Sequence, residues 1–206
     1  MIALGLFAQS KSARASNLET LTVAGGCFWC VESDFEKVKG VHEAVSGFAG
    51  GNTKNPTYKQ VTAGGTGHYE AVQITFDPAQ VSASTLLNMF FRSVDPTDAG
   101  GQFCDRGDSY RTAVFANGAE QKRAAEAEKA RAASDLGQKV VTPILGAAEF
   151  YPADAYHQDY YKGKKLVLTR FGPKRQSSAY KAYRNACGRD ARVRELWGNA
   201  APFVGG

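Results

Sequence analysis

Cysteine is scarce in this chain of 206 residues, and so are methionine, tryptophan and histidine, with four, two, two and three copies respectively. Four cysteines are too few for a disulfide scaffold at this length, which leaves redox chemistry, metal binding or buried thiols. Cys104 and Cys187 stand alone, so zinc finds no second closely spaced thiol pair, and the histidines form no i,i+4 ligand pair. No metal and no cofactor is expected. No apolar run approaches the ~20 residues that cross a bilayer, and no internal repeat, low-complexity segment or linker breaks the chain. The net charge of +5 is mild, with much of the excess between Lys162 and Arg194. No nucleic-acid motif accompanies it, so it reads as a solvated basic surface. With 43% hydrophobic and 22% charged residues, the chain has the make-up and length of one domain with a substantial core. Residues 1–17 read as a flexible leader or weak signal-like segment: residues 2–8 are apolar, but no Lys or Arg precedes them. Residues 18–206 read as a single catalytic domain. A cytoplasmic location is expected, the periplasm being the alternative if the leader directs export.

Gly25-Gly26-Cys27-Phe28-Trp29-Cys30 is the most informative stretch. Glu19 to Ala24 reads as a strand and Val31 to Val38 as a helix, so Cys27 falls at a helix N-terminus, where unpaired N–H groups and the helix dipole favour an anion. That position predicts a lowered thiol pKa and a reactive thiolate. Strands are also expected over Val41–Ala49, Tyr69–Phe76 and Thr112–Ala116, and one less clearly over Val140–Leu145. Leu86, Leu87, Phe90, Phe91 and Val94 recur at helical spacing within Ser82–Val94. A second helix runs over Ala119–Leu136, capped by Asn117 and ended by Gly137, with Glu120/Arg123, Glu126/Lys129 and Glu128/Arg131 supporting an exposed face. Beyond it the chain is irregular and aromatic-rich, with short helices near Ala155–Tyr161 and Arg189–Trp197. Without a strict parallel βαβ rhythm the fold class is α+β.

Alternation places Glu70 on one strand face with Val72, Ile74 and Phe76. A carboxyl on an apolar face loses solvation, which raises its pKa and keeps a proton available near neutrality. The competing reading sets Glu70 at a frayed, wetted strand end beside Gly64-Gly65-Thr66-Gly67. Pattern alone leaves both open.

With these residues in view, the chain resembles the peptide methionine sulfoxide reductases of the A type. Gly26-Cys27-Phe28-Trp29 resembles their catalytic motif. Gly50-Gly51 through Asn55-Pro56-Thr57-Tyr58 and Gly67-His68-Tyr69-Glu70 resemble the next two motifs, Asp105 to Arg111 the loop that completes the pocket, and His157-Gln158-Asp159-Tyr160 a later aromatic segment. The likeness spans roughly residues 19 to 197, and several ordered motifs are far more specific than one Cys-x-x-Cys. It implies a two-layer α+β sandwich with a mixed sheet, flanking helices and a long irregular C-terminal segment. It implies reduction of methionine-S-sulfoxide, free or in proteins, by attack of Cys27, with Glu70 as proton donor. By the same resemblance Tyr58 and Tyr110 bind the sulfoxide oxygen, Asp105 supports the polar side, and Phe28 and Trp29 wall the methyl group. A sulfenic acid on Cys27 would then condense with a second thiol, and thioredoxin or a similar dithiol would reduce the disulfide. No nucleic acid or integral membrane association is implied, and a monomer is expected.

The resolving thiol is where the pattern departs. Many members of the family carry Gly where this chain has Cys30, and place resolving cysteines in a C-terminal tail. Cys187 is the first candidate and Cys30 the second, while Cys104 adjoins Asp105. Two other functions compete: a disulfide oxidoreductase resting on Cys27-x-x-Cys30, and a binder of oxidised methionine that does not turn over. His68 and His157 read as structural.

Overall fold

Alternating β-branched and aromatic residues build the centre of the molecule. The computed structural model describes residues 17–205, so most of the leader reading, over residues 1–16, lies outside the described residues. In chain order the elements are β1 (Glu19–Gly25), α1 (Phe28–Phe35), β2 (Val41–Ala49), α2 (Tyr58–Ala63), β3 (Tyr69–Phe76), α3 (Ala83–Phe91), β4 (Gly101–Gln102), β5 (Asp105–Arg106), β6 (Thr112–Ala116) and α4 (Gly118–Leu136). The C-terminal part adds β7 (Ile144–Gly146), β8 (Phe150–Pro152), β9 (Leu166–Thr169), β10 (Gly172–Arg175), α5 (Gln176–Ala186) and α6 (Arg189–Trp197). No helix among the described residues is long and apolar enough to cross a membrane.

Six strands form one sheet in the order β7-β6-β1-β3-β2-β8. All its pairings are antiparallel except β6 with β7, so the sheet is mixed. The period of two puts Leu21, Val23, Val72, Ile74, Phe76 and Val114 on one face, where they are fully buried. Against that face lie Val31 and Phe35 of α1, Leu86, Leu87, Phe90 and Phe91 of α3, and Ala125 and Ala132 of α4. The opposite face carries a smaller cluster of Ala24, Ala49, Tyr69, Ala71, Ala113 and Phe115. This is the expected α+β layering.

Local chemistry sets several ends. Ser82 accepts from Thr85 N–H at 3.1 Å and starts α3, and Gly137 closes α4 in the left-handed region at φ 62°. Asn117 occupies the N-cap of α4, but its side chain makes no capping bond. Glu128 departs from the exposed face read for α4. It is 1% exposed and accepts from Ser84 Oγ at 2.8 Å and Asn88 Nδ2 at 2.7 Å, tying α4 to α3. Several other elements lay outside the sequence reading: the α2 helix, opened by a Thr57–Gln60 capping box, the short strands β4, β5 and β8, the β9–β10 hairpin and α5, while the strand expected over Val140–Leu145 lies later, as β7. Near Ala155–Tyr161 a turn and a short 3₁₀ segment over Tyr160–Lys162 replace the expected helix.

The C-terminal segment folds back over α1. Arg184 Nη1 donates to Asp34 Oδ1 at 2.8 Å, both residues being almost fully buried. Arg189 donates to Gly25 O at 3.1 Å and Ser93 O at 2.9 Å, so one guanidinium clamps the β1 end to the α3 end.

Candidate active site

Cys27 is the N-cap of α1, and its carbonyl accepts from Cys30 N–H at 3.1 Å. The chain reaches it through Gly26 at φ 79°, where a Cβ would lie 2.6 Å from Gln102 Cβ. Only glycine accommodates both the backbone and the close approach. A cavity of about 80 Å³ is lined by Cys27, Phe28, Trp29, Tyr58, Glu70, Asp105, Tyr110 and Tyr183. Every catalytic and substrate-contacting residue expected from the sequence is in that lining. A larger cavity of about 640 Å³ lies between the start of β1 and the N-terminal ends of α3 and α4, with no cysteine or tyrosine in its wall. Chemistry rather than size marks the site.

Glu70 is 2% exposed, which removes the wetted-end alternative. Its Oε2 accepts from Phe28 N–H at 3.0 Å, so the carboxyl of Glu70, not the thiol, takes the first N–H of α1. Burial nevertheless dominates and pushes Glu70 up to about 8, with nearby Asp105 adding to the rise. Glu70 therefore holds its proton at neutral pH.

The expected lowering of the Cys27 pKa is not what the structure shows. Burial raises it well above the ordinary thiol value, as do a hydrogen bond with Cys30 and the nearby Glu70 and Asp105 carboxyls. The helix-end argument fails because the available N–H is used by Glu70 and the thiol is only 7% exposed. Cys30 moves the other way. The hydrogen bond from Cys27 lowers it against its burial, helped by the Arg189 and Arg184 charges. Of the two thiols Cys30 is thus the more acidic, packed among Tyr160, Ala179 and Tyr180.

Tyr58 and Tyr110 enter the cavity from α2 and the 3₁₀ turn over Asp108–Tyr110. Burial and Glu70 raise the pKa of both, so both remain hydrogen-bond donors. Asp105 receives the Tyr183 hydroxyl, while burial raises its pKa. Phe28 and Trp29 form the apolar side. Phe28 also belongs to the main core, and Trp29 stacks on Tyr160 with ring centroids 3.8 Å apart. Behind them His157 stacks on Tyr58 at 4.2 Å, and burial lowers its pKa so that it stays neutral. His68 holds the Gly50-Gly51 turn: its Nδ1 accepts from Gly51 N–H at 3.1 Å and its Nε2 pairs with Thr53 O at 2.8 Å.

Cys104 and Cys187 are joined by a disulfide, whereas Cys27 and Cys30 are free. Cys187, the first candidate for the resolving thiol, is thus bonded to the β4–β5 hairpin, and Cys30 is the thiol beside Cys27. Tyr183 was missed by sequence reading; an aromatic four residues before Cys187 on an undetected helix carries no distinguishing signal. Elsewhere Glu32, Glu36 and Asp159 bring oxygens within 4.8 Å of one another. Lys162 Nζ lies 2.8 Å from both Glu36 and Asp159, which makes this an ion-pair network.

Comparison with known proteins identifies the family. The family described as peptide methionine sulfoxide reductase matches residues 19–199. The peptide methionine sulfoxide reductase MsrA 2 of Rhizobium meliloti is 49% identical over 189 residues, covering 92% of this chain and 88% of that protein. Among solved structures, methionine sulfoxide reductase A of Corynebacterium diphtheriae is similar with a TM-score of 0.68 at 33% identity, over 73% of this chain and 76% of that one. Mxr1 of Saccharomyces cerevisiae in reduced form gives a TM-score of 0.67 at 27% identity, over 77% and 92% of the two chains. Mxr1 has also been solved in complex with Trx2; there the likeness, at 21% identity and a TM-score of 0.50 over 74% and 91%, is one of fold alone.

Proposed function

The chain belongs to the peptide methionine sulfoxide reductase family and is an oxidoreductase of its A type, and from its pocket we propose how it turns over methionine-S-sulfoxide. The observation that carries the proposal is a buried, protonated Glu70 in the same small cavity as Cys27, Tyr58 and Tyr110. The sulfoxide oxygen lies toward Tyr58, Tyr110 and Glu70, and the methyl group against Phe28 and Trp29. Glu70 gives its proton to that oxygen as the Cys27 sulfur bonds to the substrate sulfur. The Cys27 thiol proton passes to the Glu70 carboxylate, so the acid is restored without a net charge change. This order suits a thiol whose pKa is raised: protonating the sulfoxide makes its sulfur electrophilic enough to draw in the thiol. The hydroxyl then passes from the substrate sulfur to the Cys27 sulfur as the bond between the two sulfurs breaks, leaving a thioether and a sulfenic acid on Cys27, so that the oxidation of one sulfur balances the reduction of the other.

Cys30 then attacks the Cys27 sulfenic acid, forming the Cys27–Cys30 disulfide and releasing water. Its lowered pKa and its position one helical turn from Cys27 support this role. Neither of these sulfurs is open to a protein reductant, since Cys27 is 7% and Cys30 2% exposed. Cys104 is exposed and Cys187 half-buried, so a thioredoxin-like dithiol meets the Cys104–Cys187 disulfide first and converts it to a dithiol. That dithiol reduces Cys27–Cys30 by exchange. The complex of Mxr1 with Trx2 supports a thioredoxin as the partner.

The test is reduction of separated S and R epimers of N-acetyl-methionine sulfoxide with dithiothreitol, using Cys27→Ser, Cys30→Ser and Cys187→Ser. Turnover of the S epimer alone, lost in Cys27→Ser, is expected. Cys30→Ser should give one product per enzyme and then stall with thioredoxin. Undiminished thioredoxin-driven cycling in Cys30→Ser would show that another cysteine resolves the sulfenic acid.

A further inference from the structure

The catalytic cavity, at about 80 Å³, accommodates the end of one side chain, so the rest of a polypeptide substrate must lie on the outer surface. One surface element, packed through Val167 on the cluster that holds Cys27 and Cys30, is built unlike the others. The β9–β10 hairpin forms a two-stranded sheet of its own, with both outer edges unpaired among the described residues. Its strand β9 alternates: Val167 packs inward on the Cys27–Cys30–Tyr180 cluster, while Leu166 and Leu168 point out, 72% and 86% exposed. These are the two most exposed large apolar residues among those described, and Phe171 at the turn adds a third at 41%. Isolated exposed leucines need no explanation, but adjacent ones on an unpaired strand are a recognition surface or a hazard.

Charge identifies the occupant. From Tyr160 to Arg189 the sequence contains no Asp or Glu, and Lys164, Lys165, Arg170 and Arg175 are exposed on or beside the hairpin. The turn reaches the pocket electrostatically, since the Arg170 charge acts on Asp105 inside the cavity wall. An extended peptide along this hairpin gains backbone pairing from the free edge, apolar contact from Leu166 and Leu168, and attraction between its carboxylates and the cations.

We propose that the β9–β10 hairpin is the docking surface for extended polypeptide substrates in which acidic residues flank the methionine sulfoxide. The proposal rests on the reductase reading above and deepens it by naming the substrate class. It leaves Arg170 out of the test, because that residue acts on Asp105.

The experiment measures kcat/KM with dithiothreitol for three substrates: N-acetyl-methionine-S-sulfoxide, a peptide with the sulfoxide between Asp and Glu residues, and the same peptide with Lys flanks. Wild type should prefer the acidic peptide to the Lys peptide by roughly tenfold. The Leu166→Ser/Leu168→Ser variant should lose roughly tenfold on both peptides, and Lys164→Glu/Lys165→Glu should remove the acidic preference, with N-acetyl substrate unchanged to within about twofold in each. Equal loss on all three substrates, or no loss on the peptides, would overturn the proposal. So would a defect seen only when thioredoxin replaces dithiothreitol, which would make the hairpin the reductant's site. Self-association of wild type in sedimentation that the leucine variant abolishes would instead assign it to a second copy. Failure of wild type to reduce even the N-acetyl substrate would refute the reductase reading itself, and this one with it.

Discussion

Replacing Glu70 with Gln separates catalysis from stability in a way few other readings predict. Glu70 is raised from the usual carboxyl value of 4.5 to about 8 by burial, against the opposing Phe28 N–H bond. In the unfolded chain it ionises normally, so the unfolded state gives up a proton between these two values while the fold keeps one. The sign is then set: rising pH through this window favours unfolding, and the loss is complete only above the folded pKa. At 1.36 kcal/mol per unit the cost at pH 7 is at most about 3 kcal/mol, and between about pH 5 and pH 8 it grows by about 4 kcal/mol. A glutamine mimics the protonated acid in shape, and its carbonyl oxygen can still accept from Phe28 N–H. Glu70→Gln should therefore be more stable than wild type at pH 7, by up to about 3 kcal/mol, with the difference vanishing toward about pH 4. Its sulfoxide reduction should fall by roughly 10²–10⁴, the usual worth of a general acid. Urea unfolding across pH and dithiothreitol-supported turnover check both halves. Glu32, raised by burial to about 7, adds the same slope to both proteins and cancels in the difference. Identical pH–stability curves for the two proteins would refute the buried neutral carboxyl. Undiminished turnover in the variant at every pH would refute the proton-donor role.

Arg184→Met should destabilise the fold by roughly 3–5 kcal/mol in urea unfolding, because it leaves Asp34 buried. Arg189 Nε, at 3.9 Å, attracts Asp34 but is beyond hydrogen-bond reach and does not replace the lost donor. A loss under about 1 kcal/mol would mean that the pair contributes position rather than stability. Gly26→Ala forces a side chain into a backbone at φ 79° and a Cβ against Gln102 at 2.6 Å. It should cost roughly 1–3 kcal/mol of stability and displace Cys27, so turnover falls by more than the unfolded fraction explains. A variant with normal kcat would show that the thiol loop tolerates another path.

Much of the framework was legible in the chain. The bounds of β2, β3 and β6 were read as observed, because runs of β-branched, aromatic and small residues bounded by turn residues mark strands even where both faces are buried. The helical face of α3 was equally clear, since Leu86, Leu87, Phe90 and Phe91 all meet the sheet. The α5 helix and the β9–β10 hairpin were not, because α5 mixes small, basic and aromatic residues and the hairpin exposes its leucines. Glu128 on α4 misled in the same way, its charge partner at i+3 suggesting a solvent face that Ser84 and Asn88 in fact cover.

Local sequence by itself determined the thiol at the start of α1, the glycine turn that leads to it, and the apolar strand face that carries Glu70. Each rests on neighbours within one strand or one helical turn, where backbone geometry dictates which side chains share a face. The tertiary structure decided how those groups ionise and which cysteines meet. Glu70 reaches Phe28 N–H across 42 positions and Tyr183 reaches Asp105 across 78. Cys104 finds Cys187 across 83. A pKa depends on every charge, donor and water within a few ångströms, and those neighbours come from segments far apart in the chain. The lowered thiol pKa expected at a helix start therefore fell to Cys30, through its hydrogen bond with Cys27 and the Arg189 and Arg184 charges, while burial raised that of Cys27.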